Sequence, residues 1–327
     1  MSNILVTGGA GYIGSHAVRA LLRAGYQPIV YDNLSAGHGQ AVKGAILIHG
    51  DLLDAGKLRD TFRVHPVHAV MHFAAHSQAG ESVKDPLKYF TNNVKGSLQL
   101  IEMMEEFGIR RIVFSSSAAV YGEPYAIPIS EEHPCLPTNP YGETKWILEK
   151  VLEAYCAAGK MDYISLRYFN AAGADPDGEL GEDHTPETHL IPIGLKAALT
   201  GTYLPIFGTD YDTPDGTCIR DYIHVSDLAK AHLLALDRLE KAWDSRIFNL
   251  GNGNGYSVRQ VLETLRKVTG RKIVAKESPR RPGDPARLVA SSDRIMKELD
   301  WAPEYPELED IVSTAWQWHQ KHPNGFN

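Results

Sequence analysis

Short apolar runs alternate with longer amphipathic stretches over the first half of the chain. Six of these runs have the length of a strand and are each followed by a turn signal: Asn3–Thr7, Pro28–Asp32, Ala45–His49, Ala69–Phe73, Arg111–Ser115 and Asp162–Arg167. Because the runs are apolar on both faces and most lead into a helical pattern, they predict a parallel sheet that helices cover on both sides. The expected fold is a doubly wound α/β sheet of the Rossmann type.

The character of the sequence changes after about residue 170. Ala171–Pro192 is rich in Gly, Pro, Asp and Glu, which is typical of a loop, and the later elements are short and separated by prolines. We therefore predict two domains, one over residues 1–170 and a second, smaller α/β domain over residues 171–327. Residues 221–250 are expected to return to the first domain.

The returning segment contains two predicted elements. Asp221–Leu239 carries an apolar stripe at helical spacing, and Ser226 or Asp227 is its expected N-cap. Phe248–Leu250 has the pattern of a short strand. Both elements are expected to return to the first domain.

Glycines follow the first predicted strand at the spacing of a dinucleotide-binding turn. Residues 3–14 read NILVTGGAGYIG, which places glycine at Gly8, Gly11 and Gly14. Glycine permits positive φ and a close approach of the backbone to a pyrophosphate, which the N-terminus of the next helix then faces. Asp32 ends the second strand, where a carboxylate can accept hydrogen bonds from both ribose hydroxyls and would repel a 2′-phosphate. The two signals together predict NAD rather than NADP.

A tyrosine and a lysine stand four residues apart at the start of a long predicted helix. Tyr141 and Lys145 share one helix face, where an ammonium favours the phenolate, as would a bound nicotinamide cation. Lowering the pKa of a phenol from about 10 to about 7 requires roughly 4 kcal/mol. Ser117 lies at the carboxyl end of the fifth strand, where open α/β sheets bind ligands. A surface Tyr and Lys pair is the alternative interpretation, and the nearby serine argues against it.

Motifs spread over nearly the whole chain carry a family resemblance. They are TGGAGYIGS at 7–15, HFAA at 72–75, GESVKDPLKY at 80–89, NN at 92–93, SSSAAVYG at 115–122, YGETK at 141–145, LRYFNAAGA at 166–174, GTCIRDYIHVSDLA at 216–229, FNLGNG at 248–253 and RRPGD at 280–284. Together they resemble the extended short-chain dehydrogenase/reductase family, and within it the epimerases of nucleotide sugars. The resemblance implies that Tyr141 is the general base, that Lys145 lowers its pKa and holds the nicotinamide ribose, and that Ser117 helps to transfer the proton.

The resemblance also implies two sets of binding residues. Those expected to contact NAD are Gly8, Gly11, Tyr12, Ile13, Gly14, Asp32, Asn33, Asp51, Leu52, Phe73, Ala74, Ala75, Asn92, Tyr141, Lys145 and Phe169. Those expected to contact a UDP-sugar are Ser117, Tyr141, Asn170, His189, Leu190, Phe207, Arg220, Arg281, Asp284 and Leu288. Arginines suit a diphosphate because the guanidinium donates two parallel hydrogen bonds.

Three positions are compared with the residues that related sequences carry there. Ser77 stands where related sequences often carry a lysine that contacts the cofactor, and His189 stands where they carry an asparagine. His189 either replaces a contact to the diphosphate or sugar or faces solvent. Leu288 falls at the expected gate beside the C2 substituent of the sugar, where its size predicts a preference for hexoses over N-acetylated sugars.

The residues after Ser117 distinguish between reactions. Ala118–Val120 contains no carboxylate, whereas related dehydratases and decarboxylases carry acidic residues there. The site is therefore expected to oxidise and reduce at C4 without elimination, interconverting UDP-glucose and UDP-galactose with NAD bound throughout. Alternatives are epimerisation of UDP-N-acetylhexosamines or UDP-pentoses and, in another class, a non-catalytic sensor of dinucleotides.

Composition narrows the expected partners. The formal net charge is −7, which argues against a nucleic-acid partner. The sequence contains no long apolar run, so no membrane partner is expected. Scattered cysteines and the absence of a leader pattern favour the cytoplasm, and the family resemblance suggests a homodimer. No metal site is expected, since the three regularly spaced histidines fall around a predicted strand: His68, His72 and His76.

Overall fold

The computed structural model describes residues 2–241, 245–281 and 284–326, so Pro282 and Gly283 of the RRPGD motif lie outside the described residues. The chain divides into two compact units. The first comprises Met1–Gly122, Pro134–Arg167 and Ala229–Phe248. The second comprises Glu123–His133, Tyr168–Leu228 and Asn249–Asn327.

A seven-stranded sheet forms the centre of the first unit. Its strands are β1 (Asn3–Thr7), β2 (Gln27–Asp32), β3 (Ile46–His49), β4 (Val67–His72), β5 (Arg111–Ser117), β6 (Asp162–Tyr168) and, from later in the chain, β11 (Arg246–Leu250). Their order is β11-β6-β5-β4-β1-β2-β3, and the pairs from β5 through β4, β1 and β2 to β3 are parallel. The predicted doubly wound sheet is confirmed, and all six predicted strands are present with ends shifted by two residues or fewer.

Helices accompany these strands. They are α1 (Tyr12–Arg23), α2 (Ala55–Val64), α3 (Ala79–Lys84), α4 (Pro86–Tyr89), α5 (Gly96–Glu106), α6 (Pro140–Ala157) and α8 (Val225–Lys241), with a π-helical segment at Phe90–Lys95 and 3₁₀ turns at Gly39–Val42 and Ala118–Tyr121. None of the helices in the described ranges is long and apolar enough to cross a membrane. The apolar core includes Leu5, Ile29, Val70, Leu100, Ile112 and Phe114.

Two expectations for this unit need correction. The third strand was expected to be apolar on both faces, but β3 is an edge strand, and Ile46 and Leu47 are 39% and 37% exposed. The sequence predicts a helix that Ser226 or Asp227 caps, but the helix begins earlier, at Val225, so both residues lie inside it. The backbone N–H of Ser226 donates to the His224 ring at 3.1 Å, and Asp227 accepts instead from the backbone N–H groups of residues 304 and 305. Neither predicted N-cap residue therefore caps the helix.

Small sheets and four helices build the second unit. The strands are β7 (Asn170–Ala172), β8 (Tyr203–Phe207), β9 (Ile219–Arg220), β10 (Tyr222–His224), β12 (Tyr256–Ser257), β13 (Val274–Ser278) and β14 (Arg287–Leu288). The helices are α7 (Leu190–Thr200), α9 (Val258–Thr269), α10 (Asp293–Leu299) and α11 (Leu308–Lys321). The sheets pair β10 with β7, β9 with β12 and β14, and β13 with β8.

The segment predicted as one loop, Ala171–Pro192, is only partly a loop. Its first two residues belong to β7, and its last three form the first turn of α7, which begins at Leu190. Pro192 does not prevent this, because the first turn of a helix has no internal acceptor for the missing N–H. Apolar side chains of α7, β8, α9 and α11 form the core of this unit, among them Leu195, Leu204, Val261, Leu265 and Ile311.

A buried ion pair joins three elements of the first unit. Glu149 of α6 and Arg167 of β6 are 1% and 2% exposed, and their closest N–O distance is 2.5 Å. Ser116 of β5 donates to Glu149 Oε1 at 2.5 Å, and Arg167 Nη1 donates to the Tyr121 hydroxyl at 2.9 Å. Because both charges have several partners, their desolvation is offset locally. The ion pair fixes α6 against β6, and the hydrogen bond from Ser116 fixes α6 against β5.

Candidate active site

The turn between β1 and α1 requires glycine at two positions. Gly8 has φ 71°, and a Cβ on it would lie 2.4 Å from the backbone N of Ala74. A Cβ on Gly14 would lie 2.3 Å from the carbonyl oxygen of Gly8. Both contacts are with backbone, so no side-chain movement could relieve them. These glycines let β1, α1 and the end of β4 approach one another closely.

Gly11 is different, because the folded chain does not itself require it to be glycine. It has φ −76° and ψ 174°, and a Cβ there would meet nothing nearer than the Gly8 carbonyl at 3.4 Å. It occupies the N-cap position of α1, and the first turn of that helix contains no acidic residue. Open space above a helix N-terminus suits an anionic group, so the turn fits the pyrophosphate of a dinucleotide. Tyr12 and Ile13, half-buried, follow in the first turn.

Carboxylates collect at the carboxyl ends of β2 and β3. Asp32 accepts from the backbone N–H groups of Ala10 at 2.9 Å and Leu34 at 2.8 Å, one on each oxygen. Each oxygen keeps a second lone pair, which fits two ribose hydroxyls. Burial raises the pKa of Asp32, and the two backbone hydrogen bonds oppose that shift. Asn33 donates to Asp51 at 2.8 Å, and Leu52 next to it is buried.

The residues that follow β4 bend toward β1. The N–H groups of Phe73 and Ala74 both donate to the carbonyl of Thr7, at 2.9 and 3.0 Å. Ala75 is half-buried, whereas Ser77 is exposed. The exposed Ser77 offers no long cationic side chain in place of the family lysine.

Two adjacent asparagines in the π-helical segment support this loop. Asn92 donates to the side chain of Asn93 at 3.0 Å. The amide oxygen of Asn93 accepts from His76 N–H at 2.8 Å, and its amide nitrogen donates to Thr144 at 3.0 Å. Asn93 thus ties the loop after β4 to α6, and its partner Asn92 is the predicted cofactor contact.

The structure brings Ser117, Tyr141 and Lys145 together at the end of β5. Ser117 ends the strand, and its hydroxyl lies near the phenol of Tyr141 in the first turn of α6. Lys145 Nζ donates to the carbonyl of Ser115 at 2.8 Å. Gly142 permits this arrangement, because a Cβ on it would lie 2.5 Å from the Ala119 carbonyl. All three side chains are less than 10% exposed.

The electrostatics of this group differ from the expectation. Burial raises the pKa of the Tyr141 phenol, and the nearby Ser117 hydroxyl opposes that shift. Burial also lowers the pKa of Lys145 to about 7, although the negative charge of Glu149 acts in the opposite direction and raises it. The lysine by itself therefore does not produce a phenolate, because desolvation disfavours both charged forms. Further positive charge near the phenol is needed to lower its pKa.

A pocket in the second unit collects most of the residues expected to contact a UDP-sugar. Its space is about 930 Å³ including its open mouth, and its wall includes Asn170, His189, Leu190, Phe207, Arg220, Arg281 and Asp284. Arg220 pairs with Asp284 at 2.7 Å, and the Arg281 guanidinium lies 4.1 Å from the centre of the Phe207 ring. The pocket thus combines guanidinium groups with an aromatic face, a chemistry that suits a diphosphate and a base.

Phe169, which is expected to contact NAD, and Leu288, which is expected to contact the sugar, do not line this pocket as far as the structure describes its wall. Phe169 is buried, and its N–H donates to the Leu250 carbonyl at 3.1 Å. Leu288 is half-buried in β14, where it pairs with Arg220 in register, and its carbonyl accepts from Asp221 N–H at 3.0 Å. Leu288 is thus fixed beside a pocket residue through the backbone.

Sequence reasoning missed a cluster of four titratable side chains in the second unit: Glu182, His184, Glu187 and His189. Burial opposes the charged imidazoles, but the two carboxylates outweigh it and raise the pKa of His184 to about 9 and that of His189 to about 10. The available signal was the spacing E-x-H-x-x-E-x-H within the predicted loop.

The fold and the Ser117–Tyr141–Lys145 group define a dinucleotide-dependent enzyme of the short-chain dehydrogenase/reductase type. The chain belongs to the NAD-dependent epimerase/dehydratase family, whose model matches residues 4–251. NAD is accordingly its cofactor, and the glycine turn and Asp32 fit that dinucleotide.

Relatives match over nearly their whole length. A UDP-glucose 4-epimerase of Halalkalibacterium halodurans is 54% identical over 325 residues, which cover 99% of this chain and 97% of the relative. A crystal structure of a UDP-glucose 4-epimerase is 52% identical, has a TM-score of 0.97 and matches over 100% of both chains. The structure of a UDP-glucose 4-epimerase from Bifidobacterium longum in complex with NAD⁺ and UDP is 38% identical with a TM-score of 0.95, covering 99% of this chain and 100% of that one.

The role of Gly11 can be tested by adding a small side chain. We predict that Gly11→Ser leaves the thermal midpoint of the cofactor-free protein unchanged, since serine is a good N-cap and meets open space. Its affinity for NAD should fall at least about tenfold, because the side chain would occupy the space that suits the pyrophosphate. Fluorescence titration of stripped protein with NAD measures this.

Gly56→Ser, in the exposed first turn of α2, is the matched control and should bind NAD like the wild type. Unchanged NAD affinity in Gly11→Ser would show that the open space above α1 does not receive the cofactor.

Proposed function

We propose that this chain interconverts UDP-glucose and UDP-galactose by inverting C4 of the hexose, a step of galactose metabolism. The observation that carries the proposal is the Ser117–Tyr141–Lys145 group followed by Ala118–Val120, with no carboxylate. Such a group can move a proton at C4 but has no acid/base pair there for elimination. Similarity to UDP-glucose 4-epimerases over 97% or more of both chains supports the same reaction.

Tyr141 is assigned as the acid/base group. Its phenol oxygen takes the proton of the C4 hydroxyl during oxidation and returns it when the 4-keto sugar is reduced. The hydroxyl of Ser117, which lies near Tyr141, would orient the phenol. Bound NAD would supply reversible hydride chemistry at C4, with no net consumption of the cofactor. Epimerisation then requires the 4-keto sugar to present its opposite face before reduction.

Lys145 is assigned two tasks. Its ammonium stabilises negative charge on Tyr141 and binds the ribose next to the nicotinamide. The pKa of about 7 makes this lysine sensitive to any added charge, because burial already balances its charged and neutral forms near neutral pH. The contact with the Ser115 carbonyl keeps the ammonium on the face of α6 that carries Tyr141.

The second unit is assigned the nucleotide. Arg220 and Arg281 would hold the diphosphate, and Asp284 orients Arg220 through their 2.7 Å ion pair. Phe207 would stack on the uracil, which requires Arg281 to leave its place over that ring. Asn170 donates to the Asp221 carbonyl at 2.9 Å, which keeps its side chain at the pocket wall.

Assembly and location follow from other features. We propose a homodimer through the segment from α3 to α5, because Val83, Leu87, Phe90 and Leu98 are large apolar side chains exposed by 36% to 74%. Three unpaired thiols fit a reducing compartment, so we propose that the enzyme is cytoplasmic.

Removal of the Tyr141 hydroxyl tests the assignment of the base. Tyr141→Phe should lower turnover at least about a hundredfold, which is the range for a positioned general base, while NAD remains bound. A coupled assay of UDP-glucose formation from UDP-galactose measures the rate. Tyr125→Phe, at a tyrosine that is 78% exposed, is the control. Near-normal turnover of Tyr141→Phe would disprove the assignment.

The fate of the cofactor tests the type of reaction. Purified protein should contain NAD and convert UDP-galactose to UDP-glucose with no cofactor added, because each oxidation at C4 is reversed there. Product analysis by chromatography, with NADH absorbance followed in parallel, measures both quantities. Release of one NADH per turnover would mean that the enzyme is a net dehydrogenase and would exclude the proposal.

Substitutions of Leu288 test the substrate range. Excluding a few extra atoms provides only about 1–3 kcal/mol, so we expect UDP-hexoses to be preferred and UDP-N-acetylhexosamines to react slowly. Leu288→Ser should raise the ratio of N-acetyl to hexose kcat/KM, and Leu288→Tyr should lower it. If both variants lose stability and keep the wild-type ratio, Leu288 is a packing residue of β14 and not a gate.

A further inference from the structure

Four metal-ligating side chains converge in the segment that leads into α7. We call Glu182, His184, Glu187 and His189 the Glu–His cluster. Each contributes one ligand atom, and the four atoms lie within 4.8 Å of one another. The cluster lies wholly in the second unit, and none of the steps assigned to Tyr141, Lys145 or Ser117 uses it.

The contacts within the cluster form a closed ring. The Nδ1 atom of His189 lies 2.8 Å from Glu182 and 3.0 Å from Glu187. The Nδ1 atom of His184 lies 3.2 Å from Glu182 and 3.7 Å from Glu187. Each nitrogen therefore faces both carboxylates. A simple pair of ion pairs would need one carboxylate for each imidazole, whereas here Glu187 faces His184 through Oε2 and His189 through Oε1, and both imidazoles also face Glu182.

The spacing of these ligand atoms is close to that of a zinc site. Zinc bonds to imidazole nitrogen and carboxylate oxygen are about 2.0–2.2 Å long, which puts neighbouring ligand atoms roughly 3.3 Å apart in a tetrahedron. The four N–O distances of 2.8 to 3.7 Å lie on both sides of that value. Small side-chain rotations would equalise them.

The surrounding chain holds the cluster in place. Glu182 is only 5% exposed, and the N–H groups of Thr188 and His189 both donate to Glu187 Oε1 at 2.7 Å. Gly181 packs so closely on Trp318 that a Cβ would lie 2.2 Å from its ring. Asp183 accepts from Phe326 N–H at 3.0 Å. A site fixed in this way loses little entropy when an ion binds.

We propose that the Glu–His cluster binds one Zn²⁺ ion. Two imidazoles and two carboxylates form a ligand set that zinc accepts, whereas Ca²⁺ and Mg²⁺ require six or more oxygen ligands. Zn²⁺ carries the same charge as the two imidazolium protons that it would displace to solvent, so the carboxylates remain balanced. The ion would cross-link residues 182 to 189 immediately before α7 begins.

Zinc at this position would also shape the pocket. Glu182 and His189 belong to its wall together with Arg220 and Arg281, and Leu190 follows in the first turn of α7. Resting on the proposed function, a bound ion would fix this wall and tighten the binding of UDP-sugars. Direct measurement of the metal is independent of that activity, so failure of the zinc site and failure of the proposed function are distinguishable.

Equilibrium dialysis of the full chain without an affinity tag, against Zn²⁺ and with metal analysis, tests the site. The wild type should bind one equivalent. Each of Glu182→Gln, His184→Gln, Glu187→Gln and His189→Gln should weaken binding at least about tenfold, because loss of an outer-shell partner alone has effects of that size. His68→Gln is the matched control, since His68 pairs with a single carboxylate, that of Glu240, at 3.3 Å.

Thermal unfolding adds a second measurement. Zn²⁺ should raise the midpoint of the wild type and of His68→Gln, but not that of the double variant His184→Gln/His189→Gln. Circular dichroism of each variant without metal establishes that it is folded. Absence of an equivalent of zinc in the wild type would overturn the proposal. Retention of that equivalent in a folded double variant would also overturn it, because the ion would then be bound elsewhere.

Discussion

The buried pair between Glu149 and Arg167 is the interaction on which the Ser117–Tyr141–Lys145 group depends. Tyr141, Lys145 and Glu149 follow one another at four-residue intervals along α6, so they share one face of that helix. Glu149 is bonded to Ser116, the neighbour of Ser117, and its carboxylate therefore sets how α6 lies against the end of β5. Removal of either charge would leave the other buried and uncompensated, which typically costs about 3–5 kcal/mol.

Close backbone contacts at three glycines also position the elements around the Ser117–Tyr141–Lys145 group. Glycine at Gly8 and Gly14 lets β1 and α1 meet the chain that follows β4, and glycine at Gly142 lets α6 approach the turn after β5. At each of these positions a Cβ would come within 2.6 Å of a backbone atom. The ends of several parallel strands thereby become a surface of backbone groups and short side chains, which suits the binding of an extended dinucleotide.

Burial disfavours charged side chains in both units, and neighbouring charges decide whether that effect prevails. In the first, it disfavours the charged forms of Tyr141 and Lys145, so this group responds strongly to any charge brought near it. In the second, carboxylates outweigh burial and keep His184 and His189 in their charged forms. The difference follows from partners: a buried group with a close opposite charge is stabilised as an ion, and one without it is driven toward neutrality.

The sequence by itself determined the doubly wound sheet, all six predicted strands, the glycine turn and the family, because these depend on apolar periodicity and on motifs that are local in the chain. Tertiary structure decided that β3 is an exposed edge, that Ser226 and Asp227 do not cap α8, and that Pro192 lies inside a helix. It also decided the direction of the pKa shift of Tyr141 and the convergence of Glu182 with His184, Glu187 and His189. These properties depend on burial and on contacts between residues that are distant in the sequence. The spacing of residues along the chain does not predict such contacts.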